Sequence, residues 1–464
     1  MSGTLSSLNS ALSALRYQRL AMDVASNNIA NVNSEGYVRR RAEAMSVGSP
    51  TQVAMWSRYE GAGDGVSAAT ISRMSDPFLE ARSRRENAKQ SYFDTRVTVL
   101  DRVESGIGEP GDMGVAAALA DFRNSWQDLQ THPEQTASRS QVLATGQALA
   151  DAVRVQAGNI TTELTDQRHH ALDLVAEINA TARDLASVNG NIADARAAGV
   201  DASDLLDQRD VLALNLARLT GGDATVQPNG GLDVTVGGVS LVAGKTAATL
   251  AVAGGIAADG SDDGNPLMFS ITGTSGTATV IPSAVGGELG AVGELLTTTL
   301  PTYLAGLDSV AQQLADSVNA LHTTGFDLDG NPGQPFFSYS AAGAAGSLQV
   351  AITDPAAVAA STAAGVLDGG VADALGDLQV ADLAYQRLVN GFGTEVLTSR
   401  RSSATQQLLT AQVQGSREQF TGVNFDEETV NMVAAQRAYE AAARVMTTMD
   451  SVLDTLINRT GLVR

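Results

Sequence analysis

Apolar residues return every seven positions at the N-terminal end of the chain: Leu8, Leu15, Met22 and Ile29. Leu5 and Leu12 fill the companion position, which then passes to Arg19 and Ser26. The pattern predicts one helix over about 5–30, with a heptad seam that turns half polar in its second part. The other end mirrors it. A last helix is predicted to open near Asn424 or Asp426, with Glu427 and Glu428 at its positive pole. Ala438, Ala442, Val445, Met449, Val452 and Leu456 then alternate four and three toward the C-terminus.

Between these ends the period stays helical. Asp76-Pro77 joins a capping carboxylate to proline at the first helical position. Phe93, Val97, Leu100, Val103 and Ile107 line one face of the helix that follows. Val115, Leu119, Phe122, Trp126 and Leu129 mark the next, a long helical stretch covers about 136–198, and Leu205 to Leu219 make a shorter one. From residue 221 to 290 the texture changes, with 16 of the chain's 46 glycines and a single aromatic, Phe269. Leu232, Val234 and Val236, then Val239 and Leu241, alternate around Gly237-Gly238, which reads as a hairpin. Helical spacing resumes from Leu300 to Leu321 and again over about 377–419, across a loop-rich piece at 322–375.

The expected fold is mainly α with a small β insertion. Terminal coiled-coil helices occupy 1–45 and 424–464, a helical-bundle body occupies 46–225 and 286–423, and the β-rich insertion covers 226–285. The order suggests a hairpin-like chain whose ends meet in space.

Composition narrows the function classes. With 51 acids against 30 bases, the net charge of −21 argues against nucleic-acid binding and against docking on anionic lipid. No cysteine is present, so disulfides, thiol catalysis and Cys-ligated metal centres are excluded. No apolar run is long enough to span a membrane, and the N-terminal stretch is not a cleavable secretory signal.

Candidate chemistry is sparse. Gly244-Lys245-Thr246 looks like the end of a P-loop, but the leading glycine is replaced by Val239, so a turn after a strand is expected. Asp259, Ser261, Asp263 and Gly264 begin like an EF-hand loop, as do Asp327, Asp329 and Asn331. Position 12 is Ser270 in the first and Ser338 in the second, and both are expected to be Asx turns. The four histidines form no metal-ligand pattern. No catalytic, cofactor or metal site is expected.

Most amphipathic helices pack on their own chain. At the extreme ends, however, a monomer offers least to pack against, and these helices carry Ala21, Ala25, Ala434, Ala435, Ala441 and Ala442, which permit close approach. They are therefore expected to become ordered on assembly. The triplet Arg39-Arg40-Arg41 gives 1–45 a net charge of +2, against −2 for 424–464. That makes the two ends weakly complementary, although a solvated charged strand fits equally well.

The segment Ala25 to Tyr37, with Asn27, Asn28, Asn31 and Asn33 and the closing Gly36-Tyr37, resembles the Asn-rich N-terminal signature of flagellar axial proteins: rod, hook and hook-associated proteins. Three further stretches resemble the hook-associated members of that family. They are Leu205 to Asp210, His322 to Phe337, and Thr421 to Glu428 with Asn424, continuing along the last helix.

The resemblance implies a structural subunit of the bacterial flagellum that joins hook to filament. It implies export without a cleavable signal peptide to an extracellular place in the flagellum. There the chain would polymerise as a ring or short helical oligomer, with terminal helices inside and β domain outside. Leu8, Leu12, Leu15, Met22 and Ile29 would meet the seam from Ala438 to Leu456. The implied partners are further copies of itself, hook protein, a second junction protein on the filament side, and a cytoplasmic export chaperone at the C-terminal helix. Another axial protein (hook or distal rod), an exported cell-wall hydrolase anchored by axial termini, and a secreted adhesin remain the competing readings.

Overall fold

The computed structural model describes residues 2–47, 65–111, 114–283, 285–455 and 458. Two long antiparallel helix pairs organise it. In the first, α1 (Ser2–Ala30) packs along α11 (Phe425–Asp454). In the second, α2 (Pro77–Ile107) packs along α10 (Val380–Thr421). Glu80 meets Arg417 at the start of α2, while Asp101 and Glu104 meet Arg400 near its end, which fixes the antiparallel sense.

The start of α2 follows from its cap. Asp76 Oδ1 accepts from the backbone N–H of Phe78 and Leu79, and Pro77 occupies the first helical position. The body continues through α3 (Val115–Thr131), α4 (Thr136–Ala197) and α5 (Ser203–Thr220). At 62 residues, α4 is roughly 90 Å long.

That length lets α4 serve two cores. Its first half, from Val142 to Leu164, packs with α2, α3 and α10 and with α7 (Leu300–His322) around Phe122, Trp126, Phe336 and Phe337. Its second half, from Ala171 to Ala186, packs with α5 and the β insertion around Phe269. The insertion holds two antiparallel sheets. One runs β3 (Asp223–Val226), β4 (Leu232–Val236), β5 (Val239–Ala243) and β6 (Thr246–Ala247). The other runs β7 (Thr249–Gly254), β8 (Met268–Thr272) and β9 (Ala278–Pro282). Val236 pairs with Val239 across the expected hairpin, and Gly237 and Gly238 take φ of +57° and +80°, conformations that L side chains rarely adopt.

The sheet begins at Asp223 rather than 226, and its core is shared with α4 and α5, so the insertion is seated on the body rather than appended to it. Helix α6 (Gly287–Glu294) runs through a π-helical turn, Leu295–Thr299, directly into α7. Helical structure therefore resumes well before Leu300, where the periodicity first signals it. The chemistry-like motifs resolve as turns. Gly244-Lys245 is the bend between β5 and β6, with the Thr246 hydroxyl donating to the Ala243 carbonyl. Asp259 Oδ1 accepts from the Ser261 amide, and Asp327 Oδ1 accepts from the amides of Asp329 and Asn331. Among the described residues, no group of three or more His, Asp or Glu side chains is placed to hold a metal ion.

Candidate assembly interface

After α1 the chain turns sharply. Gly36 has φ of +76°, and a Cβ there would come within 2.3 Å of the Val211 side chain on α5. Both facts demand glycine. The chain then enters β1 (Arg40–Ser46), which pairs antiparallel with β2 (Val66–Arg73) and lies against α1. The Tyr17 hydroxyl donates to the Ala42 carbonyl, and the Val66 amide donates to the Ser13 hydroxyl.

Asn28 ties this unit together. Its side chain is fully buried. Nδ2 donates to the Arg40 carbonyl at 2.9 Å and to Glu428 Oε2 at 3.0 Å. Oδ1 accepts from the Tyr37 hydroxyl at 2.8 Å and from the Arg40 amide at 3.1 Å. One amide side chain thus joins the end of α1, the start of β1 and the first turn of α11, using two donors and two acceptor positions. Burial raises the Tyr37 pKa, which keeps its hydroxyl a donor.

The other signature asparagines act locally. Asn31 Nδ2 donates to the Asn27 carbonyl, and the Ser34 hydroxyl donates to Asn31 Oδ1. Asn27 and Asn33 are exposed. Asn424 caps α11, its Oδ1 accepting from the amides of Asp426 and Glu427.

The basic triplet divides its work. Arg39 grips the start of α11, through Glu428 at 2.7 Å and Glu427 at 3.1 Å. Arg40 turns the other way, to Asp204 and to Asp207 at 3.1 Å, with its guanidinium 5.0 Å from the Tyr37 ring centre. From β2, Arg73 reaches Asp207 at 2.6 Å and Asp210 at 2.8 Å. Burial, the largest influence on Asp207, raises its pKa although Arg73 and Arg40 pull it down. The Leu205–Asp210 stretch on α5 is thus the socket for the terminal unit. Sequence reasoning missed Glu428, Arg73 and the three aspartates Asp204, Asp207 and Asp210 as partners. The visible signal was the arginine triplet.

The seam residues are placed as follows. Leu8, Leu12, Leu15, Met22 and Ile29 are half-buried, whereas Arg19 and Ser26 are exposed. Among the described side chains of α1, the buried positions are Ala11, Val24, Ala25 and Asn28. On α11, Ala438, Ala442 and Met449 are half-buried together with Met432, Met446 and Leu453, around the buried Ala435. Val445 is 47% exposed and Val452 39%. The seam used within the chain therefore takes Met446 and Leu453 in their place, one residue along, because a straight helix drifts from a strict seven-residue repeat. With Val430, Ala434 and Ala441, the two valines form an exposed apolar stripe beside that seam. Leu456 lies outside the described residues. The expectation of order only on assembly is revised, since α1 and α11 already pair within one chain.

The two ends define a class. Residues 8–37 match the flagella basal body rod protein family, and residues 416–459 match the flagellar basal body rod FlgEFG protein C-terminal family. This is a flagellar axial protein, and it associates with other axial proteins.

Residues 100–337, just over half the chain, match the flagellar hook-associated protein FlgK helical domain, and the chain belongs to the FlgK family, with a structural role at the hook–filament junction. Flagellar hook-associated protein 1 of Bacillus subtilis is 28% identical over 508 aligned positions, covering 100% of this chain and 99% of the relative. Its Escherichia coli counterpart is 25% identical over 552 positions, covering 97% and 99%. Both alignments are longer than the 464 residues here, so the relatives carry insertions that this chain lacks. The flagellar hook junction protein FlgK from Burkholderia pseudomallei shares the fold, with a TM-score of 0.65 at 17% identity over 73% of this chain and 99% of that one. No described helix is long and apolar enough to cross a membrane.

Proposed function

We propose that this chain joins hook to filament by polymerising through α1 and α11, as a ring or short helical zone, without catalysing a reaction. The observation that carries the reading is the exposed stripe Val430, Ala434, Ala441, Val445 and Val452, lying beside a seam already filled by α1. Exposed apolar residues gathered on one helix face favour a protein partner. Here the partner is the terminal pair of the next copy. The half-buried leucines of α1 and Ala438, Ala442 and Met449 of α11 close further when copies stack.

The neighbours along the axis are hook protein on one side and a second junction protein and the filament on the other. Before export, the same α11 stripe is the surface for a cytoplasmic chaperone. The chain leaves the cell unprocessed and acts outside it.

The test uses a deletion strain complemented with Val445→Asp. Complete hooks without filaments, and flagellin lost to the medium, are expected, while the purified variant melts like the parent. Normal filaments in that strain would remove the stripe from the assembly. Missing hooks would move the chain down the axis to hook or rod.

A further inference from the structure

At the joint between the terminal unit and the body, a cavity of about 470 Å³ opens between β2, the first turns of α2, the end of α4 and α5. Arg73, Arg84, Arg196 and Arg209 line it, a local cluster of cations in a chain of net charge −21. The acids on its wall are already committed. Asp210 accepts from Arg73 at 2.8 Å and from Arg209 at 2.6 Å. Glu80 accepts from Arg417 at 2.7 Å. Asp201 accepts from the amide and the hydroxyl of Ser203 at 3.1 and 2.7 Å.

Arg84 is left over. It is 6% exposed and has no hydrogen bond or ion pair among the described residues. Burial lowers its pKa, and Asp210 and Glu80, the two carboxylates that support its charge, are the ones held by other arginines. Arg73 is committed to Asp207 and Asp210, and its remaining Nη2 is closed off from solvent, so it contributes charge rather than a free donor. Arg196 donates only a long bond, 3.4 Å, to the Pro228 carbonyl. A guanidinium whose donors face a cavity without a protein partner is poorly compensated, and its planar fork matches an oxyanion.

We propose that this cavity binds a small tetrahedral oxyanion of the phosphate or sulfate class, held by Arg84 within the positive field of Arg73, Arg196 and Arg209. The site goes beyond the assembly reading. Its occupant would pin β2 and α5 to α2 in the isolated chain as well as in the flagellum.

The experiment titrates the full-length chain with inorganic phosphate at an ionic strength held constant with sodium chloride, by calorimetry and by thermal unfolding. Saturable binding and a rise in melting temperature that chloride does not reproduce are expected. Arg84→Gln is expected to weaken phosphate binding roughly 10- to 100-fold. Its phosphate-free melting temperature should be equal or higher, because an unpaired buried charge is gone. Arg85→Gln, on the exposed side of the same helix, should bind like the parent. If Arg84→Gln does not fold, Arg196→Gln carries the same test with a smaller loss. The proposal is overturned if phosphate gives no rise beyond chloride, or if the rise survives unchanged in these two variants. Acetate matching phosphate would assign the site to a carboxylate and overturn the tetrahedral class.

Discussion

Helices α3 and α11 show two ways for a patterned helix to be held. In its 17 residues α3 buries Val115, Leu119, Phe122, Trp126 and Leu129. The 30 residues of α11 fully bury only Glu428 and Ala435. The first sits in a core closed by large side chains, with Trp126 5.6 Å from Phe336 and 6.0 Å from Phe122 between ring centres. The second is held by small residues, one charge cluster and one asparagine. Hydrophobic burial scales with apolar area, so the body carries its own stability while the terminal pair is locally weak. A weak pair with an exposed stripe is suited to be completed by other copies. A filled core is not.

The strongest test of that contrast is Trp126→Ala. Removing a fully buried indole should cost about 3–5 kcal/mol of the body's unfolding free energy in urea. Helix α1 should keep its protease resistance relative to the body, because it touches none of that core. A loss below about 1 kcal/mol would mean that the core is not the closed unit described here.

The second test sets the same core against pH. His322 is fully buried, between the Gln334 carbonyl, to which Nδ1 donates, and the Ala359 amide, which donates to Nε2 at 2.8 Å. Burial pushes its pKa down to about 4. Its ring is therefore neutral in the fold, whereas the unfolded chain takes up a proton near pH 6.5. The unfolded state binds more protons across that window, so stability falls as pH drops from about 6.5 to about 4, by about 3 kcal/mol in all. An imidazole titration followed by NMR in the folded chain should place the midpoint near 4. A midpoint near 6.5 would show the ring to be solvated and the core open.

How much was legible follows the same division. Elements with a strong period and a large apolar set could be read directly: Val115 to Leu129 as α3, Ala171 to Ile192 as the second half of α4, and Leu232 to Leu241 as a hairpin. The Asn-rich segment was legible as a unit. What it grips was not, because Glu428 lies 400 residues from Asn28 in the chain. No local pattern encodes that distance. Glu428 reads from sequence only as an acid favourably placed at a helix start. The choice of Met446 and Leu453 over Val445 and Val452 was hidden for another reason: a four–three alternation fits adjacent faces of a helix nearly equally. The body motif Leu205–Asp210 was visible as a motif, but its role as a socket depends on Arg40 and Arg73 arriving from the terminal hairpin.

The smallest test separates asparagines of one signature. Asn28→Ala removes the donor to Glu428 Oε2, the acceptor for the Arg40 amide and the partner of the Tyr37 hydroxyl at once. Leaving buried groups unsatisfied in this way should cost about 2 kcal/mol. The cost falls on the terminal unit, so limited proteolysis of the α1 and α11 segments should speed up roughly 30-fold, while the body's melting transition stays where it was. Asn27→Ala, one residue earlier and exposed, should change neither, because only the Asn27 backbone carbonyl is used, as acceptor for Asn31. Equal effects from the two variants would mean that the segment is needed for its helix end rather than for the Asn28 side chain. A shift of the body's melting point by Asn28→Ala would mean that the terminal unit and the body fold as one, and the contrast between α3 and α11 would then be one of burial alone and not of cooperativity.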